Sequence, residues 1–336
     1  MADDAEPAAR TPAPRRHRRR GIGRHLCLAA GCFALTAAVL LPLLVYPRLA
    51  VLPDDPQQGQ TLTASDATVL VPDASAPAGA RVLQDVDVTV ENFISGAPSG
   101  RSGNSVVWQI ATRFNVDGRG MVTARFERIS LNRHTSRPTN CCGDRIVTAL
   151  EDPSGELLTH DGYLAWPFDV QKRSYRLWDV NLRRAKTAEY VGEETQHGLR
   201  TYRFRSVVPL QKVGTMDLPG ALFGSTAPSV TADAQYADVQ TYWIEPRTGD
   251  VVRLEDQVTQ QYVHAGRTLT AFAAQLETPP PSADRLSADR QGSILLPLIR
   301  IQATLVLVPL GLLLIAAGLV LTRRSRRGAA GERATA

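Results

Sequence analysis

The chain has 336 residues and a formal charge of +5, and its positive excess sits at its two ends: residues 1–25 carry +4 and residues 322–336 carry another +4. The middle is therefore mildly acidic, near −3, and lacks the clustered Lys and Arg that a phosphate backbone requires, which excludes nucleic acid as a partner. The length would allow about two average domains, but two long apolar segments near the ends leave room for one sizeable block between them.

In chain order, residues 1–25 form a basic tail with Arg15, Arg16, Arg18, Arg19, Arg20 and Arg24. Leu26 to Tyr46 is free of charge for 21 residues, which at about 1.5 Å per residue matches a hydrocarbon core of about 30 Å. A cleaved signal peptide would have a shorter apolar region and small residues at its exit. Here Tyr46-Pro47-Arg48-Leu49-Ala50 follows, so the segment reads as an uncleaved anchor. Ala30, Ala34 and Ala38 repeat every fourth residue, a spacing that permits close helix packing in lipid.

Residues 47–80 read as a juxtamembrane tether and first strand, with Gly59 to Gly79 as surface tether, and 81–276 as an extracytoplasmic β domain. In the domain, apolar residues alternate at period two. Val82, Val86, Val88, Val90 and Ile94 oppose Asp85, Asp87, Thr89 and Glu91. Val106, Trp108, Ile110, Phe114 and Val116 oppose Gln109, Arg113 and Asn115. Asp117-Gly118 then supplies a turn ahead of Val122, Ala124 and Phe126, read as the next apolar face. His197-Gly198 separates two further strands, and Pro246 to Asp250 turns into Val252, Leu254, Val258 and Tyr262. Ten or so strands without an amphipathic helix predict a mainly β domain: an antiparallel sandwich, an open barrel or a curled sheet.

Residues 277–293, with Pro279-Pro280-Pro281, read as a Pro-rich linker, 294–322 as a second span and 323–336 as a second basic tail. Arg300 is expected to reach the outer interface, and Pro297 and Pro309 to bend the helix. Positive flanks stay in the cytoplasm. Both tails obey that rule if the chain crosses the plasma membrane twice and exports its middle. Association of the spans with one another or with other copies is a further expectation.

Chemistry leaves few marks. Cys27 and Cys32 lie in the first span, whereas Cys141 and Cys142 are adjacent in an exported, oxidising setting and form a candidate vicinal disulfide. Free thiols and intermolecular pairing are the alternatives. His134, His160, His197 and His264 show no zinc spacing, and no metal or other cofactor is expected. Asp85 and Asp87 read as a charged outer strand face. Nucleophile-elbow and phosphate-loop motifs are absent from the sequence. Trp166, Phe168, Tyr175 and Trp178 are candidates for an apolar ligand site, with core packing as the competing role.

Several strings together carry a resemblance: Tyr46 to Pro53, Trp166-Pro167-Phe168 with Tyr175 and Trp178-Asp179, Glu189 to Glu194, and Tyr242 to Gly249. The chain resembles, over nearly its whole length, an actinobacterial two-span envelope family catalogued in places as porin PorA. The resemblance transfers no catalytic residue. It implies a channel, yet a lipid-facing barrel needs apolar outer strand faces, and these carry Asp87, Glu91, Arg113, Arg253 and Glu255. The reading is therefore a non-enzymatic membrane-anchored protein whose β domain binds an envelope lipid, glycan or partner protein. The alternatives are a porin-like channel and an envelope-modifying enzyme.

Overall fold

The computed structural model describes residues 19–97, 103–148 and 155–334. The chain divides into two units, one holding the helices near both ends and one holding residues 49–296.

In the helical unit, α1 (Arg19–Leu40) passes through a π-helical turn at Leu41–Val45 into the short α2 (Tyr46–Leu49). At the other end a π-helical turn at Leu298–Gln302 leads into α4 (Ala303–Ala334); α3 (Ala283–Pro297), which precedes it in the chain, belongs to the other unit up to Leu296. Both π turns sit at a proline, Pro42 within the first and Pro297 before the second. A proline removes one backbone donor and crowds the preceding turn, and a wider turn relieves this.

The helices α1 and α4 pack antiparallel. Leu28 lies against Gly318, Gly31 against Gly311 and Ile315, and Thr304 donates to the Ala38 carbonyl at 3.1 Å. The buried stripe on α1 is Gly31, Ala34 and Ala38; Ala30, expected to share it, faces outward. A Cβ on Gly31 would stand 2.6 Å from Ile315 Cγ1 and 2.8 Å from the Gly311 carbonyl oxygen. Gly31→Leu and Gly311→Leu should therefore force the helices apart. A disulfide between cysteines introduced at Ala38 and Thr304 should form readily in the parent protein and several-fold more slowly in either leucine variant. Large apolar side chains on both helices remain uncovered, among them Phe33, Leu305 and Leu313 at 75%, 69% and 68% exposure, which suits lipid and not water. Arg300 reaches Tyr46, 5.0 Å above its ring, an aromatic–cation pair typical of an interfacial belt.

The second unit is built on one open antiparallel sheet. Among the described residues its strands are β1 (Gln58–Pro72), β2 (Ala80–Gly96), β3 (Ser105–Val116), β4 (Gly120–Asn132), β5 (Arg145–Val147), β6 (Glu156–Leu157), β7 (Tyr175–Asp179), β8 (Arg184–Gln196), β9 (Leu199–Pro219), β10 (Ser229–Ile244), β11 (Val251–His264) and β12 (Arg267–Glu277). Their order is β6-β5-β4-β3-β2-β1-β12-β11-β10-β9-β8-β7. Every connection between neighbours joins sequential strands except β1–β12, and the two edges, β6 and β7, are consecutive in the chain. The sheet curls. Trp178 of edge strand β7 donates from Nε1 to Glu127 of β4 at 2.6 Å, and Tyr163, between β6 and β7, bridges to Leu177. Of the three expected architectures, one continuous curled sheet is the one observed, its edges joined through side chains.

The concave face carries the core. One cluster joins Leu62, Val69, Val88, Val90 and Val116 to Val208, Tyr236, Val258 and Phe272 from the other arm; a second gathers around Trp166 and Phe204, a third around Ile129 and Leu131. Three local expectations differ from the fold. Gly59 to Pro72 lies within β1, a central strand, because its small Thr, Ala and Ser residues, which resemble a tether in composition, still bury Leu62, Ala67, Val69 and Val71 on one side. The linker at 277–293 becomes helical from Ala283. On β4, Phe126 is 43% exposed and Glu127 buried, the reverse of the expected face. Thr123 pairs with Phe114 but Met121 with Asn115, so Val122 is an extra residue, and a bulge of one residue exchanges the two faces beyond it.

Candidate functional site

Charged side chains occupy the interior of the curl. Lys186 of β8 is 7% exposed. Its ammonium pairs with Asp179 at the end of β7, at 2.8 Å, and more closely with Asp238 of β10. Asp179 is further held by the Tyr236 hydroxyl at 3.1 Å and by the backbone N–H groups of Asn181 and Leu182, each at 2.9 Å. Burial disfavours the charge on Lys186, but the carboxylates around it outweigh this and hold its pKa above the ordinary lysine range.

Asp256 of β11 lies diagonally from Asp238: Asp238 pairs with Val258, and Gln240 with Asp256. The Gln240 amide donates to Asp256 Oδ2 at 2.8 Å, and the Tyr242 hydroxyl donates to Gln240 Oε1. One oxygen of Asp256 and one of Asp238 are buried and accept nothing from other groups. A single proton on Asp256 directed at Asp238 satisfies both. Burial, then the neighbouring Asp238 charge, pushes the Asp256 carboxyl well above its ordinary value and favours its protonated form.

A second group sits where the edges approach. His160 follows β6; its Nε2 lies 2.8 Å from Glu127 Oε1 and its Nδ1 3.0 Å from Asp144 Oδ2. Trp178 packs edge-on to the imidazole at 4.7 Å. Burial opposes a charge on His160, yet the hydrogen bonds to Asp144 and Glu127 prevail and raise its pKa to about 9. The pair Cys141–Cys142 is joined as a vicinal disulfide with Cα atoms 3.7 Å apart and is anchored to this group. The Cys141 N–H donates to Ser130 Oγ at 3.1 Å, Arg128 Nε to the Cys142 carbonyl at 3.2 Å, and Asn140 exchanges two hydrogen bonds of 2.9 Å with the His160 backbone. Cys141 itself is exposed.

The four aromatic candidates divide. Trp166 and Tyr175 pack together at 5.2 Å and against Phe204 at 4.6 and 5.7 Å. Phe168 joins the Ile129–Leu131 cluster and Trp178 stands beside His160. Further space lies at the other end of the curl, in a cavity of about 540 Å³ whose wall includes Val69, Val71, Val116, Phe114 and Phe272, with Arg125, Asn181, Asn115 and Gln260 among its polar members. Among the described residues no group of three His, Cys, Asp or Glu converges as a metal site. The charged interior is absent from the sequence reading, although it leaves a signal there. Asp256 interrupts the inward series Val252, Leu254, Val258, and Asp238 interrupts Tyr236, Tyr242, Ile244.

The strings that carry the sequence resemblance meet in space. Val170 N–H donates to the Pro246 carbonyl at 2.7 Å, and Trp243 Nε1 to Glu194 at 2.7 Å. Gly249 has φ +82°, and a Cβ there would stand 2.8 Å from the carbonyl oxygens of both Trp166 and Pro167. A family profile described as Porin PorA matches residues 25–320. The chain belongs to the Porin PorA family. Two relatives bear the name Porin PorA: one from Corynebacterium amycolatum is 24% identical over 300 residues, covering 71% of this chain and 77% of that protein. The other, from Corynebacterium resistens, is 23% identical over 404 residues, covering 90% and 96%. Porin PorA membership and the two uncovered apolar helices make this a membrane protein.

Proposed function

We propose that this Porin PorA member is a non-enzymatic, porin-like protein of the plasma membrane that crosses it twice, with both basic ends cytoplasmic and the β domain outside. The antiparallel pairing of α1 and α4 carries this reading, because it brings the Arg-rich flanks of both helices to one side. The curled sheet is a poor lipid-facing barrel: Asp87, Glu91 and Arg113 are exposed on its outer face, and its interior is occupied by core and ion pairs. A conducting path in this reading is lined by α1 and α4 from several copies, since two helices enclose no channel. The purified full chain, reconstituted in planar bilayers, is expected to give stepwise currents that Gly31→Leu reduces several-fold. A silent bilayer at protein densities where cross-linking shows oligomers sinks the channel reading.

A second reading, that the β domain binds an envelope component, is favoured by a separate observation, the apolar cavity inside the curl.

A further inference from the structure

The cavity inside the sheet is bounded by strands from both arms of the curl. Val69 and Val71 of β1, Val88 and Val90 of β2, Phe114 and Val116 of β3 and Phe272 of β12 present apolar groups, and Met216 from the long β9 stands among the lining residues. Phe114 and Phe272 meet edge to face at 5.9 Å. The lining residues lie toward the end of the sheet opposite Gln58 and Glu277, where the chain enters and leaves it. Protein interiors are close-packed, and voids much larger than a water molecule are rare. A space of about 540 Å³ falls in the range of small-molecule sites, which run from about 300 to 1,000 Å³.

The polar members of the wall set the chemistry of the occupant. Arg125 is turned inward by the bulge at Val122, on the same side of β4 as Glu127 and Ile129. Its Nη1 donates to Asn181 Oδ1 at 3.4 Å, and no carboxylate within 4 Å pairs with it among the described residues. The nearby buried carboxylates are already committed, Asp179 to Lys186 and Glu127 to His160. Burial holds the Arg125 guanidinium below its ordinary pKa, against the attraction of Glu127 and Asp179. A guanidinium presents a planar fork of donors suited to a carboxylate or a phosphate.

We propose that this cavity is a binding site for an anionic amphiphile with one acyl chain in the pocket, its carboxylate or phosphate head on Arg125 and Asn181 and its chain along Val69, Val88, Val116, Phe114 and Phe272. The proposal rests on the second reading above and names its ligand class. It is tested with the full chain in nanodiscs of zwitterionic lipid, using cis-parinaric acid, a fluorescent long-chain carboxylate, and its methyl ester as probes. The acid is expected to bind saturably and at least tenfold more tightly than the ester. Arg125→Gln should remove that preference while leaving the ester unchanged, and Val116→Trp, which fills the cavity, should weaken both. Displacement of the acid by lysophosphatidic acid or by palmitate distinguishes a phosphate from a carboxylate head. Equal binding of acid and ester to the parent protein overturns the role of Arg125 but leaves a binding domain. Absence of saturable binding by either probe overturns the inference and the second reading together. The comparison of acid with ester uses the parent protein, so it stands even where Arg125→Gln fails to fold.

Discussion

Replacing Lys186 by methionine is expected to destabilise the β domain by about 3–5 kcal/mol, the usual cost of removing one partner from a buried ion pair. The substitution keeps the side chain's length, and its aliphatic stem is already packed. What is lost is the charge that balances Asp179 and Asp238, whose side chains are 4% and 0% exposed. In a domain of this size the loss corresponds to a fall in Tm on the order of 10 °C, measurable by following tryptophan fluorescence of the purified full chain. Asp256→Asn supplies the contrast. Burial and the Asp238 charge favour its protonated form, and it already accepts from the Gln240 amide, so an amide of the same shape should cost less than about 1 kcal/mol. Asp238→Asn should behave like Lys186→Met. A loss at Asp256→Asn as large as at Lys186→Met would show that Asp256 is ionised and that the two carboxyls do not share a proton.

The second large effect is a dependence of stability on pH above neutrality. His160 has a pKa of about 9 in the folded protein, against 6.5 for the free side chain. The folded state therefore binds this proton more tightly than the unfolded state does. The resulting stabilisation is fully present below about pH 6.5 and is lost as pH rises through 9. A shift of this size corresponds to about 3 kcal/mol. Urea midpoints of the full chain should accordingly fall between pH 6.5 and 9. In His160→Gln the curve should start lower and stay flat through the same window, because the glutamine amide does not titrate. A parent protein whose midpoint is constant from pH 6.5 to 9 would show that His160 is not protonated between Glu127 and Asp144.

Both effects arise from residues that local patterns do not bring together. Lys186, Asp179, Asp238 and Asp256 lie on four strands, and their meeting depends on the order β11-β10-β9-β8-β7. His160 reaches Glu127 across 33 residues of chain because β4 and β7 approach as the sheet curls. By contrast, the hairpins at Asp117-Gly118, His197-Gly198 and Pro246 to Asp250 are legible, since each turn and its flanking strands are contiguous and their chemistry is local. The face of β4 beyond Val122 is not, because a bulge depends on how the neighbouring strand pairs.

The sequence by itself determined the two apolar segments, their Arg-rich flanks and the β character of the block between them. Each is a property of a contiguous stretch: an uncharged length matched to a bilayer, a local excess of charge, or a period of two. Only the tertiary structure decided that the sheet is one curled layer, that its centre is β1, and that its interior holds ion pairs at one level and an apolar cavity at another. The physical reason is that a buried charge is tolerated only beside its partners, and those partners come from strands far apart in the chain.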